Sequence, residues 1–173
     1  MTRRMIMTFL LTRSTNRRCR MKIRTDNTPN RIPSVRITLP GIDGERLAMI
    51  DTGSAITLYD EGIADAVLHE TSMNCEMDVT GICGSQNSSG EWITSVVTMH
   101  DTEGNPVHLK MEGATYDMSG VIDYYRTNYG LDPDFAMIIG SDVLSSLGAR
   151  IDYENNMLMI DEKEDRQFPE VRG

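Results

Sequence analysis

The stretch Ala48-Met49-Ile50-Asp51-Thr52-Gly53-Ser54-Ala55 sets an acid at the point where an apolar run gives way to a glycine turn. Residues 47–50 read as a largely apolar strand, so an Asp at its end is partly buried. The turn that follows directs backbone N–H groups at its carboxylate. Burial favours the neutral acid and hydrogen bonds to the ionised form favour the anion, so such a position is built to tune proton affinity. The same residues also suit a plain turn, in which Asp51 does no more than cap its own loop.

The pattern on either side is mostly β. Upstream, Val35, Ile37 and Leu39 alternate with Arg36 and Thr38, as in a half-buried strand. Pro40-Gly41-Ile42-Asp43-Gly44 is turn chemistry, so this strand and residues 47–50 pair as a hairpin. Downstream, Ile63, Ala64, Val67 and Leu68 fall on one face of a helix within residues 60–70. Residues 77–79 read as a short strand that runs into a stretch rich in Gly, Ser and Asn at 81–90. Residues 92–99 and 107–111 form a second hairpin around Asp101-Thr102-Glu103-Gly104-Asn105-Pro106.

Val121, Ile122, Tyr125 and Tyr129 then line one side of a helix in residues 117–132, with Asp117 or Ser119 as its N-cap. A buried strand at 135–139 and a helix of one to two turns at 142–147, stopped by Gly148, come next. A final hairpin, 149–153 with 157–160, turns on Glu154-Asn155-Asn156. No segment repeats another.

The chain has 173 residues, which is room for one domain of ordinary size. Its 39% hydrophobic and 25% charged residues exclude collagen-like, coiled-coil and multi-span membrane chains. Residues 1–24 hold eight of the seventeen basic side chains and no acid, leaving the remainder with nine basic against 26 acidic groups, a net −17. A body that acidic is repelled by a phosphate backbone, so nucleic acid is not expected as its partner.

Residues 1–33 are expected to be a basic leader and linker without structure, 34–161 the folded domain and 162–173 an acidic tail. The apolar run at 5–11 is too short to span a bilayer and lacks a small-residue cleavage site, so no stable membrane insertion is expected. An Arg-rich transit peptide, or a start at Met21, also suits the leader. Cys19, Cys75 and Cys83, with His69, His100 and His108, are too few and too scattered for a disulfide framework or a metal site. No metal or other cofactor is expected, and a reducing, cytoplasmic setting is the simplest reading.

A second block, Ile138-Ile139-Gly140-Ser141-Asp142-Val143-Leu144, carries a buried strand into a glycine and a short helix. Taken in order with the first, it resembles the retropepsin-like aspartic proteases over about residues 34–160. Asp51, Thr52 and Gly53 stand where that family has its apolar-apolar-Asp-Thr/Ser-Gly motif. Ile138, Ile139 and Gly140 stand at its later apolar-apolar-Gly motif. The stretch 81–90 lies where the family has its flap, a hairpin that folds over substrate. Retroviral members follow the later glycine with an Arg that pairs with an acid just after the first motif. Here Ser141 and Ala55 stand at those places, so that ion pair is absent, as in a non-viral relative.

The resemblance implies a single-lobe acid-protease β-barrel with short helices, completed by homodimerisation. Peptide hydrolysis of this kind needs one carboxylate to take a proton from water and one carboxylic acid to protonate the carbonyl oxygen. The chain has one such Asp, so the second comes from another copy. Two carboxylates ~3 Å apart at an effective dielectric of ~20 repel by roughly 5 kcal/mol, so the pair holds one proton between them. The implied catalytic residues are Asp51, Thr52 and Gly53. Thr52 would bond across to the partner chain and Ser54 would donate to the Asp51 carboxylate. Ser54, Ala55, Gly81, Ile82, Gly84 and Ile139 are assigned to binding a peptide or protein substrate. Cys83 reads as a free thiol or, alternatively, a redox handle. A catalytically silent module of the same fold, which dimerises or takes up extended peptide by strand addition, is the competing reading.

Overall fold

The computed structural model describes residues 20–29, 32–81 and 84–161. In chain order its elements are β1 (Arg20–Arg24), β2 (Asp26–Asn27), β3 (Pro33–Ile37), β4 (Arg46–Ile50), β5 (Leu58–Asp60), α1 (Glu61–Ala64), β6 (Glu70–Gly81), β7 (Gly84–His100), β8 (Pro106–Tyr116), α2 (Ser119–Tyr129), β9 (Phe135–Ile139), α3 (Ser141–Ser146), β10 (Arg150–Asp152) and β11 (Met157–Asp161). Among the described residues the fold is mostly β with three short helices, and the three expected hairpins, β3–β4, β7–β8 and β10–β11, all form.

The larger sheet has eight strands in the order β2-β3-β4-β9-β5-β8-β7-β6. It curls, because Thr38 just beyond β3 and Thr98 in β7 exchange both backbone hydrogen bonds, at 2.9 and 3.0 Å. The curl encloses the main core, in which Val35, Ile37, Ile93, Val97, Met99 and Ile139 are all at most 1% exposed. A second cluster, built on Met49, Leu58, Tyr116, Tyr125, Phe135 and Ile138, also takes in Ile56, Cys75, Met77 and Val79.

Four expectations need correction. Residues 20–24, placed in an unstructured leader, form β1 and pair with β11 in the three-stranded sheet β1-β11-β10. The reason is alternation inside a basic run: Ile23 is 2% exposed, while Lys22 and Arg24 face outward. Residues 26–27, placed in the linker, form β2 against β3. The folded part therefore begins at least as early as Arg20.

The short strand expected at 77–79 is the end of a much longer one. Strand β6 is twelve residues long and β7 seventeen, and they pair from Glu70↔Thr94 to Gly81↔Gly84. Backbone pairing carries this hairpin where the polar side chains of residues 84–90 give no strand signal of their own. The expected helix over 60–70 shrinks to the four residues of α1. Beyond it the chain is tied to the first hairpin's turn, where the Leu68 amide donates to the Pro40 carbonyl at 2.8 Å, and Leu68 is 69% exposed.

Among the described residues no helix is long and apolar enough to cross a membrane.

Candidate active site

Strand topology places Asp51. Strands β4 and β9 run parallel, in register Met49↔Ile138 and Ile50↔Ile139. Asp51 and Gly140 therefore leave the sheet side by side. Strand β5 lies on the other side of β9 and antiparallel to it. The segment 51–57 must cross over the end of β9 to reach it, and so forms an arch.

Both feet and the span of the arch are hydrogen-bonded to what lies beneath. The Asp51 amide donates to the Ile139 carbonyl at 3.1 Å, and the Ser141 amide to the Ser54 carbonyl at 2.8 Å. The Gly140 amide donates to Thr57 Oγ1 at 3.0 Å. The fit is tight enough to dictate the residue at 140: a Cβ there would lie 2.3 Å from the Ile56 carbonyl oxygen and 2.5 Å from its carbon. Gly140 is required for that close approach, and its φ of −88° is ordinary.

On the arch, Asp51 is half-buried and Thr52, Gly53 and Ala55 are exposed. Asp51 Oδ1 accepts the Gly53 amide hydrogen at 2.8 Å, and among the described residues no other donor reaches the carboxylate. The second oxygen takes no hydrogen bond from the described residues. An acid held by one backbone N–H on an exposed turn is suited to proton transfer with a partner outside the chain.

Ser54 does not do what was expected of it. Its hydroxyl donates to the Ile56 carbonyl at 2.7 Å, while its amide turns back to the Asp51 carbonyl at 3.2 Å. The hydroxyl is used to shape the arch and is not on the carboxylate. Ile139 is fully buried in the main core, so its side chain does not face a substrate. What it offers the site is the carbonyl that holds the Asp51 amide. Gly81 and Gly84 pair with each other at the end of the β6–β7 hairpin. Ile82 and Cys83, the remaining expected flap positions, lie outside the described residues. The half-buried face of β6, bearing Cys75, Met77 and Val79, belongs to the same apolar cluster as Ile56 and the Val121 and Ile122 side chains of α2.

Two residues that sequence reasoning missed are Thr57 and Asp142. Thr57 is fully buried, with its amide donating to Asp142 Oδ2 at 3.0 Å and its hydroxyl to Oδ1 at 2.9 Å. They are far apart in sequence, and only the crossing of the arch over β9 brings them together. A cleft of about 660 Å³, lined by Glu61, Asp65, Cys75, Glu76, Glu91 and Thr115 among others, lies between α1 and the base of the hairpin, and no residue of the arch lines it. Among the described residues no three His, Cys, Asp or Glu side chains gather closely enough to hold a metal ion.

No protein-family model matches the chain, and no curated protein does. Solved structures match it in shape. Soybean basic 7S globulin superposes with a TM-score of 0.56 at 10% identity, over 86% of this chain and 51% of that one. The structure of edgp gives 0.55 at 9% identity, over 83% and 46%. The retroviral protease-like domain of Ddi1 from Leishmania major gives 0.45 at 15% identity, over 75% of this chain and 90% of that domain. This chain spans about half the length of the globulin and of edgp, and at these identities the first two likenesses concern the fold alone.

Proposed function

We propose that the chain is one half of a homodimeric, retropepsin-like aspartic endopeptidase, with one Asp51 from each subunit at a shared site. The observation that carries this reading is the exposed arch, with one carboxylate at its foot and one of its oxygens held by the Gly53 amide. A single carboxylate of this kind is half of an acid–base pair, and the exposed Thr52 and Gly53 beside it leave room for a second copy of the same turn.

In the assembled pair the ionised Asp51 takes a proton from a water molecule while the water oxygen attacks the peptide carbonyl carbon. The protonated Asp51 of the second subunit gives its proton to the carbonyl oxygen. Collapse of the tetrahedral species breaks the C–N bond: the departing nitrogen takes the proton now on the first carboxyl group, and one hydroxyl of the diol returns a proton to the second, leaving a carboxylic acid, an amine and the singly protonated pair. An extended peptide would lie between the arches and the β6–β7 hairpins.

The reading is tested by cleavage of a peptide library from about pH 3 to 7 with mass-spectrometric readout, beside Asp51→Asn and sedimentation of both proteins. Cuts that vanish in the variant while the dimer persists support it. A dimer that makes no cuts sinks it. The second reading, a silent peptide-binding module, draws on β6, which is a twelve-residue strand at the sheet edge and so open to strand addition. On that reading Asp51→Asn binds peptide as well as the wild type does.

A further inference from the structure

We infer that Asp142 is a positioning residue for the reaction, acting through Thr57 to hold the Asp51 arch in its working shape before a second subunit arrives. The inference rests on the endopeptidase reading and adds to it the device that braces each half-site.

Every polar group of Thr57 is committed. Its amide and hydroxyl both donate to the Asp142 carboxylate, its hydroxyl oxygen accepts from the Gly140 amide, and its carbonyl accepts from the Ala114 amide at 3.0 Å. Asp142 is held in turn, because Oδ1 also accepts the Val143 amide at 2.7 Å. One buried threonine therefore ties the far foot of the arch to Gly140 just beyond β9, to α3 and to β8 at once. Hydrogen bonds to a carboxylate are about twice as strong as neutral ones, and Thr57 is fully buried, so leaving either donor without its acceptor is costly.

The clamp also occupies the right place. Thr57 lies six residues beyond Asp51 at the far end of the arch, and Asp142 two residues beyond Gly140, whose amide hydrogen the Thr57 hydroxyl accepts. Asp142 does not reach the Asp51 carboxylate among the described contacts. Its effect is on where the arch holds Asp51, and so on the rate of the chemical step more than on substrate capture.

The experiment compares wild type with Asp142→Asn, Thr57→Val and Thr57→Ser in the full chain. Asn offers one acceptor oxygen where two are needed, Val keeps the shape of Thr without the hydroxyl, and Ser restores the hydroxyl. Amide hydrogen exchange is read at Gly53, Ser54 and Thr57, with Val97 and Leu109 in the β7–β8 pair as internal reference. Steady-state kinetics on a peptide cut by the wild type are read alongside.

Exchange at the arch amides about tenfold faster or more in Asp142→Asn and Thr57→Val, with the reference amides unchanged and Thr57→Ser close to wild type, is the expected result. The expected kinetic signature is a fall in kcat on the order of a hundredfold with KM little changed. Arch amides that exchange as in the wild type overturn the clamp whatever the activity. Faster exchange with an unchanged kcat overturns the positioning role. Faster exchange in a protein whose wild type cuts nothing supports the brace and overturns the endopeptidase reading instead. A variant that fails to fold shows itself in the reference amides, and the other two then decide the matter.

Discussion

The Asp51 amide donates to the Ile139 carbonyl, which fastens the acid's backbone to a strand entered much later in the chain. The position of the carboxylate is therefore set by the sheet, with the turn supplying only its immediate partner, the Gly53 amide. Changes under the arch should be felt at the site even where no side chain touches the carboxylate.

Gly140 is the sharpest case. Replacing it with Ala puts a methyl group 2.3 Å from the Ile56 carbonyl oxygen, and the contact is with backbone, so no rotamer relieves it. Gly140→Ala is expected to lose at least about 1–3 kcal/mol, as overpacked positions do. Urea unfolding should give a lower midpoint with an unchanged slope.

Ile23 tests whether β1 belongs to the fold. It is 2% exposed in the main core and pairs with Leu158. Ile23→Ala is expected to cost about 2–5 kcal/mol, whereas an unstructured leader would give no change. Thermal unfolding monitored by circular dichroism separates the two.

Asp60 gives the protein a pH dependence of defined sign. Burial raises its carboxyl above the ordinary value of 3.8, hydrogen bonds from the Met118 and Gly62 amides act the other way, and the nearby Asp117 charge adds to the rise. For an acid whose folded value is raised, the folded state holds its proton longer than the unfolded one. The stability this contributes is full below about 3.8 and is lost as pH climbs through the raised folded value. Asp60→Asn should flatten that fall when unfolding midpoints are taken across the acid range. A fall as steep as in the wild type would assign it to other groups.

Arg126 is expected to matter little. Its ion pairs with Asp123, at 2.5 Å, and Asp132, at 2.6 Å, lie on the surface, with all three side chains more than half exposed. Exposed pairs lose to solvent and entropy most of what they gain. Arg126→Ala should leave the urea midpoint within error of the wild type, and a clear drop would mark the pairs as a true network.

The sequence was most legible where one chemical pattern dominates. Val35 to Leu39 alternate cleanly, and the 121–129 apolar spacing foretells α2, whose first amide, Ser119, is met by the Asp117 carboxylate at 2.9 Å. Legibility failed where two signals compete. Met21 and Ile23 alternate with Lys22 and Arg24, but the run of positive charge around them reads as a tail. Residues 84–90 are polar and rich in Gly, Ser and Asn, so they carry no strand pattern of their own, and backbone pairing with β6 decides the matter. The adjacency of the two motifs was suggested by their order. The Thr57–Asp142 clamp was not, because neither residue carries a mark of its partner and the contact exists only once β4, β9 and β5 have assembled.

The β6–β7 hairpin has a mechanical consequence. Strand β7 is in register with β8 only from Trp92 onward, and just before it the Glu91 amide donates to the Thr115 hydroxyl of β8 at 2.9 Å, so residues 84–89 pair with β6 alone. At about 3.3 Å per residue the six steps from Gly90 to Gly84 make an arm roughly 20 Å long. Its bearing is at Gly90, where the hairpin backbone comes so close to β8 that a Cβ would sit 2.3 Å from the Thr115 carbonyl oxygen. A tilt of about 5° at such a bearing carries the far end through about 2 Å. Leverage of that ratio would turn small adjustments against Thr115 into larger displacements at Gly81 and Gly84, and it places the control of the arm at Gly90.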